Sequence, residues 1–199
     1  MEGPATFRPA AKADASALAV LVDIAGEGLP AYLWSTLKAP GQSILDVGRE
    51  RAARETGGFS YRNAIVAEVG SEIAACLVGY RLDDPYDLTG LEDIPPLVRP
   101  LVLLEAKAPG SWYVNVLATF PEFRRRGFGA ALLGIAKQRA REEGAHALSV
   151  IVAAENERAA RLYKAVGYEA LATAPIVAFP GCPHGGDWLL MVKPLPAGA

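Results

Sequence analysis

The feature that most constrains this chain is a regular alternation of strand-like and helix-like runs after residue 110. "SWYVNVLA" (111–118) is rich in aromatic and β-branched residues and reads as a strand. "FGAALLGIAKQRAREEG" reads as a helix ending at Gly144, a residue suited to the left-handed position after a helix. "ALSVIVA" (147–153) is an unbroken apolar run, the pattern of a strand buried on both faces. "NERAARLYKAVG" is a second helix, with Asn156 as N-cap and Gly167 as its stop. "YEALATAPIVAF" and "DWLLMVK" close the chain as two more strands. A helix between two strands returns the chain parallel, so this order implies a central mixed sheet with helices on both faces.

The first half fits the same layers. "ATFRPA" is a short strand. "DASALAVLVDIAGEG" places Leu18, Leu21, Val22 and Ala25 at helical spacing, with Asp14 as N-cap and Gly26 near the end. Helices are expected over 31–37 and 42–56. "NAIVAEV" and "EIAACLVGYRL" are strands joined by Gly70-Ser71, which suits a tight hairpin. Residues 83–110 are an acid- and proline-rich, insertion-like connection with a short helix near 97–104. Its Asp83, Asp84, Asp87, Glu92 and Asp93 either line an entrance for a cationic partner or form a solvated loop.

Composition narrows the function classes. A chain of 199 residues, 51% hydrophobic and 21% charged, has the make-up of a folded protein, and residues 1–199 are read as a single domain. A formal net charge of -2 argues against a general nucleic-acid binder and gives no reason to expect an anionic membrane as partner. Cys76 and Cys182 make neither a disulfide framework nor a metal-ligand pair. With only His146 and His184 besides, no metal is expected. No run reaches the ~18 apolar residues of a membrane span, and the start "MEGPATFRPAAK" has no apolar core of signal-peptide length. The expectation is a cytoplasmic protein.

Chemistry points to "PEFRRRGFGAALL" (121–133), between a strand and a helix. The first N–H groups of a helix lack intrahelical partners and carry the positive end of its dipole, so they bind anions. Gly127 and Gly129 let a ligand approach the main chain, and Arg124, Arg125 and Arg126 add positive charge. Leu132 stands where a dinucleotide fingerprint needs its third glycine, and no Gly-Lys-Ser/Thr ending is present. By physics alone the stretch is either a site for a pyrophosphate-like anion or a plain helix start.

"VLATFPEFRRRGFGAALL" resembles the acyl-CoA-binding motif of the GNAT superfamily of N-acetyltransferases, with Arg124, Gly127 and Gly129 at its Arg/Gln-x-x-Gly-x-Gly/Ala positions. "NERAARLYKAVGY" resembles that superfamily's next helix through Asn156, Ala159, Leu162, Tyr163, Gly167 and Tyr168, the last usually Phe. The resemblance spans about residues 111–170. It implies an acyl-CoA N-acyltransferase fold, an α/β (α+β) architecture with a mostly antiparallel sheet of about seven strands.

It further implies acetyl-CoA as acyl donor and an amine, small or on a protein, as acceptor. Main-chain groups of Leu117, Ala118 and Thr119 would hold the pantetheine arm, and N–H groups from Arg125 through Arg126, Gly127, Phe128 and Gly129 to Ala130 would hold the pyrophosphate. Asn156 would contact the cofactor near that arm, besides capping its helix. Tyr163 would protonate the leaving thiolate; as residues alone, Ala159, Leu162, Tyr163 and Val166 share a helix face and read equally as core. Some relatives carry a Glu where this chain has Ile151. Glu155 and Glu105 are the candidate carboxylates, both expected at the surface; a water chain could serve instead, and the base is unassigned. The alternative is a non-catalytic acyl-CoA-binding sensor or interaction module of the same fold, and the C-terminal strands make a homodimer plausible.

Overall fold

In the computed structural model, which describes residues 4–196, seven strands form one mixed sheet in the order β1-β2-β3-β4-β5-β7-β6. The strands are β1 (Ala5–Pro9), β2 (Ala64–Val69), β3 (Glu72–Arg81), β4 (Trp112–Thr119), β5 (Ala147–Ala153), β6 (Glu169–Pro175) and β7 (Asp187–Pro194). Six α-helices accompany them: α1 (Ala15–Ala25), α2 (Leu29–Ser35), α3 (Ile44–Ala52), α4 (Arg99–Glu105), α5 (Phe128–Glu142) and α6 (Glu157–Ala165). β4 pairs parallel with β5, the two being joined through α5, while the β1–β2, β2–β3, β5–β7 and β6–β7 pairs are antiparallel. The boundaries follow the sequence patterns closely. The hairpin turns at Gly70 (φ 64°), and the helices before Gly144 and Gly167 stop where those glycines take positive φ (67° and 91°).

By internal contacts the chain divides into two units. The first runs to Gly79 and includes Asn115–Leu133; the second is Tyr80–Val114 with the segment from Gly134 onward. The first unit buries Leu18, Leu21 and Val22 of α1 with Trp34, Val47, Val66, Val78, Val116 and Ala118. Cys76 belongs to this core, and burial pushes its thiol up to about 12, so it is an inert packing residue. Arg8 forks onto both oxygens of Asp14 (2.7 and 3.1 Å) and also reaches Glu68 (2.6 Å). This is why Asp14 does not cap α1 with its side chain: its carboxylate is spent on Arg8 and on the Ala11 N–H (2.7 Å). α3 is capped instead by Ser43, whose Oγ accepts from the Asp46 N–H, and it ends sooner than the run 42–56 suggested.

Gly48, in the middle of α3, weakens a helix by its own propensity. Its place is dictated by Trp34, which stacks on Phe59 at 6.0 Å: a Cβ at Gly48 would sit 2.5 Å from Trp34 Cζ3. Gly48→Ala is therefore expected to destabilise the fold by about 1–3 kcal/mol, the usual cost of overpacking, rather than gain from better helix propensity. Urea denaturation checks it; a midpoint at or above that of wild type would refute the packing argument.

In the second unit, Leu104 and Ala108 pack with Leu190 of β7, flanked by Ile151, Ala172, Ala174, Trp188 and Val192. β5 is buried at every position but Ile151, the outcome its unbroken apolar run requires. The buried Ser111 and Ser149 hydroxyls satisfy each other at 2.7 Å.

Candidate active site

The arginine–glycine turn lies in the first unit. A one-turn 3₁₀ helix (Pro121–Phe123) leaves β4, and Arg124 is extended (ψ 158°). Arg125 then takes φ +66° and Gly127 φ +83°. A non-glycine residue in the left-handed region carries strain of about 1–2 kcal/mol, and such strain is concentrated at functional sites. Turns in which successive main-chain N–H groups converge form a concavity that binds anions. The first main-chain bond of α5 is Ala131 N–H to Gly127 O (3.1 Å), so helix geometry leaves the N–H groups of Phe128, Gly129 and Ala130 without intrahelical acceptors.

Two aromatic anchors hold this turn, a role the sequence reading did not assign. Phe123 and Phe128 are both buried, and Phe128 packs edge-on against Phe7 at 6.5 Å. Between these anchors the three arginines are exposed. Arg124 Nε donates to the Thr119 carbonyl (3.3 Å), and the Arg126 guanidinium lies 5.2 Å over the Phe123 ring. No atom lies within 4 Å of where a Gly127 Cβ would be. The approach to the main chain is open there. Upstream on β4, Val116 and Ala118 are buried in the core, whereas the alternate residues Leu117 and Thr119 are only partly buried.

The other candidates lie in the second unit. β4 and β5 pair there through Trp112–Leu148, Tyr113–Ser149 and Val114–Val150. After β5 the chain turns at Asn156, whose Oδ1 accepts the Ala159 N–H (3.1 Å) as the N-cap of α6. Asn156→Ala should cost about 1 kcal/mol in thermal or chemical denaturation, and Asn156→Asp should recover most of it. Equal losses in both variants would show that the cap is not what the side chain contributes.

Tyr163 is buried, with its ring edge-on to Tyr168 at 5.5 Å. Burial raises its phenol above the ordinary value, keeping it protonated. Among the described residues its hydroxyl has no protein hydrogen-bond partner. The Tyr168 hydroxyl, where relatives usually have Phe, is buried and unpaired as well.

The two candidate bases differ from each other. Glu155 is exposed as expected, and its Oε2 meets His184 Nδ1 at 3.1 Å. Glu105 is not a surface carboxylate. At the end of α4 it is largely withdrawn from solvent, and the Tyr86 hydroxyl donates to it at 2.7 Å. The desolvation raises its pKa, with hydrogen bonds from Tyr86 and Tyr113 acting in the opposite direction. Nothing local in "LVLLEAK" signals this; the burial comes from residues far along the chain.

The model of the acetyltransferase (GNAT) family matches residues 33–168, more than half of the chain, and takes in both the turn and α6. The chain belongs to the GNAT acetyltransferase family. Among curated protein sequences none is a significant match. Solved structures agree on the GNAT fold. An acetyltransferase is 24% identical with a TM-score of 0.66, covering 95% of this chain and 98% of its own. An agmatine N-acetyltransferase in its apo form is 18% identical with a TM-score of 0.69, covering 97% and 100%. A Drosophila melanogaster polyamine N-acetyltransferase that forms N-acetylagmatine is 18% identical with a TM-score of 0.68, covering 96% and 100%. As a GNAT member the chain is an acyltransferase enzyme, and acetyl transfer is its general chemistry.

Proposed function

We propose that this enzyme transfers an acetyl group from acetyl-CoA to an alkyl amine by direct attack of the amine on the thioester. The observation that carries the donor assignment is the backbone at the start of α5: left-handed Arg125 and Gly127 lead into free first-turn N–H groups, with three exposed arginines beside them. That arrangement suits a pyrophosphate with nearby phosphate charge better than a plain helix start.

In this reading Arg124 supplies charge, and the N–H groups of the turn from Arg125 to Ala130 donate to the pyrophosphate oxygens. Main-chain groups of Leu117, Ala118 and Thr119 hold the pantetheine arm, and Asn156 adds a contact to it. A main-chain donor near Leu117 stabilises the oxyanion as the amine adds to the carbonyl carbon. The C–S bond then breaks, Tyr163 gives its proton to the departing thiolate, and the proton that the nitrogen loses on forming the amide restores the phenol, directly or through solvent. The agmatine and polyamine enzymes among the structural relatives support a cationic alkyl amine as acceptor.

Calorimetric titration with acetyl-CoA, followed by an amine panel read out as free thiol, tests the proposal. Binding together with amine-dependent CoA release is expected. Absence of acetyl-CoA binding would overturn the donor assignment, and binding without turnover on any amine would overturn the reaction.

A further inference from the structure

Glu105 presents an imbalance of charge. It is largely desolvated, yet no Lys, Arg or His side chain pairs with it among the described residues. The basic residues of its own segment are engaged elsewhere or exposed. Arg99 donates to the carbonyls of Ile94 (2.8 Å) and Glu92 (2.6 Å), Arg81 Nε faces the Gly110 carbonyl (3.4 Å), and Lys107 is exposed. A withdrawn carboxylate without a cation is costly and is seldom kept without a use.

Its surroundings are those of a cation site. Tyr86 donates to it at 2.7 Å, and Tyr113 also offers its hydroxyl. Tyr80 lies edge-on to Tyr113 with ring centroids 5.8 Å apart. Aromatic rings beside a carboxylate provide π faces together with a negative charge, the combination that holds an alkylammonium. Glu105 and Tyr86 both keep partial exposure, so a ligand can reach them. The connection that carries Tyr86 is acidic, with Asp83, Asp84 and Asp87 exposed, which favours the approach of cations.

We infer that Glu105, framed by Tyr80, Tyr86 and Tyr113, is the counter-charge that binds an ammonium group of the acceptor, the attacking nitrogen being a separate, neutral amine, and selects cationic alkyl amines over neutral ones. The inference rests on the acetyl-transfer reading above and names the residue responsible for its substrate class. Glu105 acts on the ammonium by charge and hydrogen bonding, and the Tyr86 hydroxyl competes with that ammonium for the same carboxylate.

The test is calorimetric titration of 1,4-diaminobutane into the protein, alone and saturated with CoA, for wild type, Glu105→Gln and Tyr86→Phe. A charge-assisted hydrogen bond of this kind corresponds to roughly 10- to 100-fold in affinity. Glu105→Gln should lose that much for diaminobutane while keeping CoA affinity. Tyr86→Phe keeps the carboxylate and should bind diaminobutane at least as well as wild type. Unchanged diaminobutane affinity in Glu105→Gln, an equal loss of its CoA affinity, or no diaminobutane binding to wild type would each overturn the inference. A Tyr86→Phe loss as large as that of Glu105→Gln would do the same. If wild type fails to bind CoA, the acetyl-transfer reading falls, while the titration of protein alone still decides the role of Glu105.

Discussion

Tyr163→Phe is expected to lower kcat for amine acetylation by about 10²–10⁴-fold, the range a positioned proton donor supplies, with acetyl-CoA affinity nearly unchanged. The structure makes this a clean substitution. The ring is buried and packed edge-on against Tyr168, and phenylalanine preserves that contact. The lost hydroxyl has no protein partner among the described residues, so no group is orphaned and stability should hardly move. Burial holds the phenol above its ordinary value, so the proton remains available into the alkaline range in which a free phenol begins to ionise. Single-turnover kinetics with thiol detection separate the chemical step from donor binding. Full kcat in the variant across the pH range would remove Tyr163 from the reaction and restore its reading as a core tyrosine.

Gly127→Asp should abolish most acetyl-CoA binding while leaving the fold intact. Asp tolerates the left-handed region better than most residues and is a good helix cap, and no atom lies within 4 Å of the new Cβ. The added carboxylate, however, faces the place where the pyrophosphate would rest. Two like charges about 4 Å apart repel by about 4 kcal/mol at an effective dielectric near 20. Solvent at this exposed turn reduces that, leaving roughly 10- to 100-fold in affinity, and the deficit should shrink as salt is raised. Calorimetry at low and high salt reads both. Wild-type affinity in this variant would place the donor's phosphates elsewhere.

Much of the fold was legible because its signals are local. The unbroken apolar run at 147–153 predicted a strand buried on both faces, and β5 is one. Asn156 predicted a cap, and its side chain accepts the Ala159 N–H. Gly144 and Gly167 predicted helix stops, and both take positive φ. The turn at 124–129 was legible as a glycine-dependent backbone turn, and Gly127 takes positive φ there. The resemblance in "NERAARLYKAVGY" pointed to an acetyltransferase, and the family match agrees.

Other features depended on partners distant in the chain. Asp14 had the right residue type and position for an N-cap, but Arg8 and the Ala11 N–H claim its carboxylate, and the choice between such partners is made by the packing of β1. Phe128 was assigned only its main-chain N–H and Phe123 no role, and the burial of both rings shows them anchoring the turn.

By itself, the sequence determined the order of strands and helices and pointed to the family, since periodicity, capping and motif spacing are properties of neighbouring residues. Only the tertiary structure decided which carboxylate is withdrawn from water. Glu105 reads as one more acidic residue near a helix end, and its character arises when Tyr86, nineteen residues earlier, and Tyr113 of β4 close around it. Desolvation depends on everything that packs near an atom, and no window of sequence contains that.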